Sequence, residues 1–353
     1  MDLSKDDVVE EVVKLGMSKE LAHELWDKLE KKNVEKPSPT TFSTIVYYLG
    51  TFIILIALSW FLQKGWDLFG GGAIFLIACV YAALFIGAGN YLWKKDLKTP
   101  GGLFFTLAVC MAPLAIFGLE HYFGLWYEID PVHMPKKLGI FVGQFSENAN
   151  RLLMETSAVI ASLVALRFVP FTFLTVPLFI SLWLMSIDIA QLLHLNEVID
   201  ELAITKYFGL ALLLVAYILD GRTKKDYSFW GYIIGTIAFW IGITFVDRRG
   251  ELSWFAFLLM NFGLIILSII LERRVLLIFG SLGVINYFAR LAYDIFRDTL
   301  WFPFALSLFG ILVIWLGIVY QKNEARLHAF FQKLIPPNIQ KIILPKYRKS
   351  SQD

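Results

Sequence analysis

The sequence predicts an all-α fold: a polytopic transmembrane helix bundle of about ten spans, with a short N-terminal helical hairpin and a C-terminal amphipathic tail. Three observations carry this. The 353 residues are 57% apolar and 18% charged, with a mean hydropathy of +0.62, against about 45–50% apolar and about 25% charged for a soluble domain. Charge is also segregated, since 17 of the 62 charged side chains precede Phe42 and 9 follow Tyr320. The 279 residues between are too sparsely charged to solvate a globular surface. Finally, apolar runs near 20 residues recur, the length that crosses about 30 Å of hydrocarbon at about 1.5 Å per residue. A soluble enzyme, a disordered chain and a disulfide-built scaffold are excluded.

The first 36 residues form a cytoplasmic helical segment. Ser4 caps a first helix with Asp6 and Asp7 in its opening turn, and Gly16 ends it. Ser18 with Glu20 opens a second helix that runs to about Lys32. Val8, Val9, Val12, Val13, Leu15, Leu21, Leu25, Trp26 and Leu29 give each helix one apolar face. These charged residues lack the apolar core of a secretory signal, so insertion is expected to use the first long apolar run. Lys36-Pro37-Ser38-Pro39 leads into a stiff linker at 37–41.

The transmembrane bundle, 42–320, divides into spans at 42–62, 72–93, 102–119, 151–168, 171–193, 206–220, 229–246, 254–271, 275–293 and 301–320. Within lipid each backbone N–H and C=O must find a partner inside the segment, which imposes helix despite many β-branched residues. The third span carries Pro113, and the sixth is short. Only Val169-Pro170 separates the fourth and fifth, which predicts a tight re-entrant hairpin. Residues 120–150 read as a loop over the bundle, rich in Tyr122, Phe123, Trp126 and Tyr127. Tyr47, Trp60, Trp93, Trp254, Trp301 and Tyr320 flank the runs as an interfacial aromatic belt.

With both termini cytoplasmic, 23 of the 32 lysines and arginines fall on the inner side. Ten spans satisfy this; eight would leave the termini in place. The tail at 321–353 holds Leu327, Phe330, Phe331, Leu334 and Ile335 on one helical face. Lys341, Lys346, Arg348 and Lys349 follow, an amphipathic basic segment suited to anionic lipid headgroups.

Ionisable groups inside spans are costly and mark candidate sites. Glu155 stands four residues after Arg151, the spacing of an expected ion pair, and Asp188 lies near the outer end of the fifth span. Asn286, Arg290 and Asp294 recur at i, i+4, i+8 on the ninth. The sequence reading places these five as the polar lining of an outer vestibule, with Arg290 paired to Asp294. The competing account has each charge snorkelling from a helix end to the headgroups. Asn261 and Asn90 are expected as interhelical hydrogen-bond links, and Gly231 and Gly235 as a close-packing step.

Cys79 and Cys110 read as small buried side chains, and His121, His133 and His194 have no ligand spacing, so neither metal nor cofactor is expected. A net charge of +2 gives no basic face for nucleic acid. P-loop, GxSxG and HExxH motifs are absent from the sequence. Tyr47-Tyr-Leu-Gly50-Thr51 and Tyr232-Ile-Ile-Gly235-Thr236 open the first and seventh spans, and a basic doublet follows each two spans on. This hints at a duplicated three-helix unit.

Leu15-Gly-Met-Ser-Lys-Glu-Leu-Ala22, Tyr48-Leu-Gly-Thr51, Ser59-Trp60 and Gly65-Trp66-Asp67 resemble a family of bacterial multi-pass inner-membrane proteins of unknown function. Arg274–Gly283, Phe302–Ala305 and Tyr320–Glu324 resemble the ending of such proteins. The resemblance implies a bacterial inner-membrane location and an N-terminal cytoplasmic helical segment, and assigns no catalytic residue. Three functions follow from the residues: passage or binding of a small polar solute, a scaffold or sensor docking a cytoplasmic protein partner, and a lipid-modifying enzyme using the outer carboxylates.

Overall fold

The computed structural model describes residues 18–22, 24, 41–65, 70–125, 136–195, 199–220, 226–271 and 273–296. It also describes Phe304, Ser307, Leu308, Gly310, Ile311, Trp315 and Ile318. Among the described residues every regular element is helical. Residues 1–59 form one unit and residues 60–353 another.

In the first unit the Leu21 amide donates to Ser18 Oγ at 3.4 Å and the Ala22 amide to the Ser18 carbonyl at 3.0 Å. The second N-terminal helix thus opens at the cap the sequence marks. The first N-terminal helix and the C-terminal tail lie outside the described residues. Helix α1, Thr41–Gly65, follows.

The remaining helices are α2 (Gly71–Lys94), α3 (Lys98–Tyr122), α4 (Lys136–Phe168), α5 (Thr175–Leu192), α6 (Glu201–Asp220), α7 (Ser228–Thr244), α8 (Glu251–Leu271) and α9 (Arg274–Phe296). A 3-10 turn at Thr172–Leu174 precedes α5. Among the described residues seven helices are long and apolar enough to cross a membrane, and Phe42–Leu58 within α1 and Ser228–Thr244 are shorter apolar stretches. The count of ten spans is not confirmed by these helices. In the tenth, 301–320, the seven described residues are helical.

The helices pair as antiparallel hairpins, α2 with α3, α4 with α5, α6 with α7 and α8 with α9. Chain direction alternates, so the bundle has two ends. One carries the start of α4 and the ends of α5, α7 and α9; the other carries the start of α3, the ends of α6 and α8, and the start of α9. α3 and α7 are the inner helices, with buried positions around their circumference. Outward faces are apolar instead: Leu76, Leu84, Leu163, Leu214 and Leu259 are all more than half exposed. A water-facing bundle would not tolerate such patches. Together with helix length and composition, they mark the chain as a membrane protein.

Small residues set the hairpin spacing. A Cβ on Gly209 of α6 would overlap the Phe239 backbone nitrogen and approach Gly235 O to 2.8 Å. The expected Gly231/Gly235 step does provide close packing, with α6 as its partner. Around it Leu213, Ala216, Tyr232, Phe239, Phe257, Leu264 and Leu276 form the core joining α6, α7, α8 and α9.

Several expectations change. Of residues 120–150, expected as a loop over the bundle, 120–122 and 136–150 are helical instead: α3 continues to Tyr122 and α4 begins at Lys136. Lys136, Lys137, Gln144 and Glu147 form helix without being apolar, so a hydropathy window ends the span too early. The fourth and fifth spans are not re-entrant, because Glu147–Phe168 and Thr172–Leu192 are each of full crossing length. α3 runs unbroken through Pro113, and the short sixth span extends back to Glu201. Cys79 is exposed and Cys110 half-buried, where both were expected buried. Asn90 is exposed on α2, and no interhelical link to it is seen among the described residues. The two repeat segments share one detail only. Thr51 donates to Tyr47 O at 2.9 Å and Thr236 to Tyr232 O at 2.6 Å, yet Gly50 faces open space while Gly235 is packed.

Candidate functional site

The five expected site residues do not converge; they divide between two groups at the same end of the bundle. The first is built on α4, where Asn148, Arg151 and Glu155 at i, i+3, i+7 share the face turned toward α5. On α5, Asp188 and Gln191 stand one turn apart and answer them. Arg151 Nε lies 3.2 Å from Asp188 Oδ2, its terminal nitrogen donates to Asn148 Oδ1, and the same nitrogen reaches Gln191 Oε1 at 3.4 Å. Gln191 then donates to Glu201 Oε1 of α6 at 2.8 Å. The expected pairing of Arg151 with Glu155 is replaced by the pairing across the hairpin.

Glu155 is 8% exposed and Asp188 7%, and Asn148 and Asn150 are also buried. Glu155 and Asp188 are both buried on helices that pack as a hairpin. No hydrogen-bond donor among the described residues reaches Glu155 Oε2. Asn150 Nδ2 donates to Leu125 O at 3.0 Å, tying α4 to the end of α3, where Glu120 is buried.

The second group stands on α8 and α9. Arg290 pairs with Asp294 at 2.7 Å, as the i, i+4 spacing predicts. It also holds Glu251 bidentately at 2.7 and 3.1 Å, a partner the sequence reading missed. The Arg290 guanidinium stacks over Trp254 at 4.6 Å, as does that of Arg248. Arg248 caps α7 by donating to the Ile243 and Thr244 carbonyls, and burial holds its pKa below the ordinary guanidinium value. Glu251 and Asp294 are largely exposed, so this group is a headgroup-level network. Asn286, half-buried on α9, stands one turn from Arg290.

A third group, at the opposite end, was not foreseen. Arg273, in the connection between α8 and α9, lies 3.0 Å from Asp220 Oδ1 at the end of α6. It binds Asp226 through both terminal nitrogens at 2.9 and 3.1 Å, reaches Ser228 Oγ at 3.3 Å, and stacks on Tyr232 at 4.9 Å. Burial opposes the arginine's charge, but the hydrogen bonds to Asp226 and Asp220 outweigh it and raise its pKa above the ordinary value. The sequence scored Arg273 only as a topology charge. The overlooked signal was Asp220, an acid in the last turn of an apolar helix, where the dipole disfavours it and a cation must answer.

Asn261 is fully buried in α8 but donates to Phe257 O of its own helix at 2.8 Å. Its Oδ1 faces Gly283 of α9, where a Cβ would overlap it. Asn261 is thus a packing contact and not the expected interhelical hydrogen bond. Among the described residues no group of three His, Cys, Asp or Glu stands together to hold a metal.

Comparison of the chain with protein families, with curated proteins and with solved structures gives no match.

Proposed function

We propose that the chain is a multi-pass protein of a bacterial inner membrane, both termini cytoplasmic, that binds and passes a small polar solute at its outward polar end. The observation that carries this reading is the buried set Arg151, Glu155 and Asp188. Three ionisable side chains sit between apolar helices, two of them more than nine-tenths buried, and one carboxylate oxygen has no donor among the described residues. A bundle that needed only packing would fill these positions with Leu or Val more cheaply. Asn286, Arg290 and Asp294 form a second polar group on α9. Membership of the uncharacterised inner-membrane family belongs to this proposal, as do binding of anionic lipid by the basic tail and ten crossings.

The test is flux through reconstituted vesicles loaded with a pH-reporting dye, with a substitution series at Glu155, Asp188, Asn286, Arg290 and Asp294. Altered flux in well-folded variants supports the reading; wild-type flux across the whole series ends it. A scaffold role is the second reading, favoured by Leu21, which the capped N-terminal helix leaves 54% exposed. Deletion of residues 1–36 separates the two, because only the scaffold loses function while flux persists.

A further inference from the structure

We infer that the α8–α9 hairpin is a moving part of the bundle: it swings about its tie to α7, with Arg273 as the latch, and so opens the seam along α7 to water. The inference goes beyond the Arg151 site, shares no residue with it, and does not rest on the solute reading.

A row of polar side chains marks the seam. Ser228, Tyr232, Thr236, Trp240 and Thr244 recur every fourth residue along α7, in a winding row on an otherwise apolar helix. The row meets the α8–α9 hairpin. Ser228 Oγ lies 3.3 Å from the Arg273 guanidinium and the Tyr232 ring 4.9 Å from it, while the Trp240 ring centroid is 5.5 Å from that of Phe279 on α9. Three polar atoms of the row, Tyr232 Oη, Trp240 Nε1 and Thr244 Oγ1, are shut off from solvent and have no hydrogen-bond partner among the described residues. Each forgoes a bond that water would supply. The closed seam therefore carries a polar cost that wetting removes, as expected of one arrangement of a two-state interface.

The hairpin is tied at one end and latched at the other. Among the described helices its backbone runs close to the rest of the bundle along one line, α9 against α7. At the Arg151 end the chain itself joins α7 to α8 through 245–250, where Gly250 takes a φ of +83°. Arg248 spans this joint: it donates to the Ile243 and Thr244 carbonyls and stacks on Trp254 and Phe257 at 4.6 and 4.0 Å. At the opposite end the α6–α7 and α8–α9 connections are separate pieces of chain. Arg273 bridges them, to Asp220 at 3.0 Å and to Asp226 at 2.9 and 3.1 Å. It is carried by the hairpin, because its amide donates to Ser268 O at 3.2 Å and its carbonyl accepts from Ser268 Oγ at 3.0 Å. Leu271 and Leu276 also pack on the α7 core, but apolar contact inside a bilayer exchanges for lipid at little cost. The directional hold is the ion pairs.

Thiol labelling of the full-length protein in lipid vesicles tests this, on a background of Cys79→Ala and Cys110→Ala. Thr236→Cys puts a reporter of similar size in the middle of the row, at a position 0% exposed. A small methanethiosulfonate, which reacts with thiolate, reads how far water reaches it. Adding Arg273→Gln should raise the labelling rate about tenfold or more. Asp226→Asn, which leaves Asp220 on Arg273, should raise it by a smaller factor, and Arg273→Lys, which keeps the cation, should stay closer to the parent than Arg273→Gln. Two controls separate an opened seam from general loosening. Ser162→Cys, at a fully buried position on α4, should label at the same slow rate in every background, and Thr244→Cys, beside the tie, should gain less than Thr236→Cys. If Arg273→Gln does not fold, Asp226→Asn decides. The inference is overturned if the latch variants leave the Thr236→Cys rate unchanged, if Ser162→Cys rises with it, or if Thr244→Cys gains as much. None of these results bears on flux through the Arg151 site, so either reading can fail while the other stands.

Discussion

Arg273→Gln preserves most of the side chain's length and removes its charge. Asp220 is 3% exposed and lies against that guanidinium, so the substitution takes the cation from a buried carboxylate. Breaking a buried pair by removing one partner costs about 3–5 kcal/mol. Asp226 is 48% exposed and resolvates, adding about 0–1 kcal/mol. The expected loss is thus about 3–6 kcal/mol, roughly two to four and a half orders of magnitude in the folding equilibrium. Adding Asp220→Asn removes the buried negative charge, so the double variant should be more stable than Arg273→Gln alone. The coupling in the cycle should be about 2 kcal/mol or more. Detergent-titrated unfolding in mixed micelles, followed by tryptophan fluorescence, reads all four corners. A loss below about 1 kcal/mol for Arg273→Gln, or strictly additive single losses, would refute the claim that Arg273 clamps the α6–α7 and α8–α9 hairpins.

Three further outcomes follow from the same reasoning. Gly209→Ala should cost about 1–3 kcal/mol in the same assay, because the added Cβ meets the Phe239 backbone, which cannot move aside. Gly283→Ala should lose a similar amount and regain part of it with Asn261→Ala, since its obstacle is a side chain; Gly50→Ala, which meets open space, is the unaffected control. Arg151→Ala should cost about 2 kcal/mol through the buried Asp188 it leaves unanswered, whereas Arg290→Ala, whose partners are solvent-exposed, should unfold at the wild-type detergent concentration.

Membrane character was legible in the sequence because it depends on sums. Apolar runs, their length and the exile of charge to the tails need no knowledge of which helix touches which. The Arg290–Asp294 pair and the Gly231/Gly235 packing step were legible too, because i, i+4 spacing places side chains on one face before any tertiary contact forms. Pairings across helices were not. Arg151 is four residues from Glu155, yet it binds Asp188, 37 residues away, because the α4–α5 hairpin brings the two together. Arg273 binds Asp226 over 47 residues, and the intervening apolar stretch holds nothing in its periodicity to reveal it. The polar set divides in two for the same reason: depth along each helix can be counted from its ends, whereas azimuth around the bundle depends on packing. Helix ends were misjudged where polar helix formers such as Lys136 and Glu201 carry α4 and α6 beyond the apolar window.

The alternation of chain direction across the membrane is the premise of every site placed here, and two introduced cysteines test it. On a background of Cys79→Ala and Cys110→Ala, Arg249→Cys lies between α7 and α8 at the Arg151 end, and Lys98→Cys opens α3 at the Arg273 end. Both native side chains are well exposed. In sealed vesicles a membrane-impermeant maleimide should label one of the two cysteines before permeabilisation and the other only after it. Labelling of both from the same side would contradict the account.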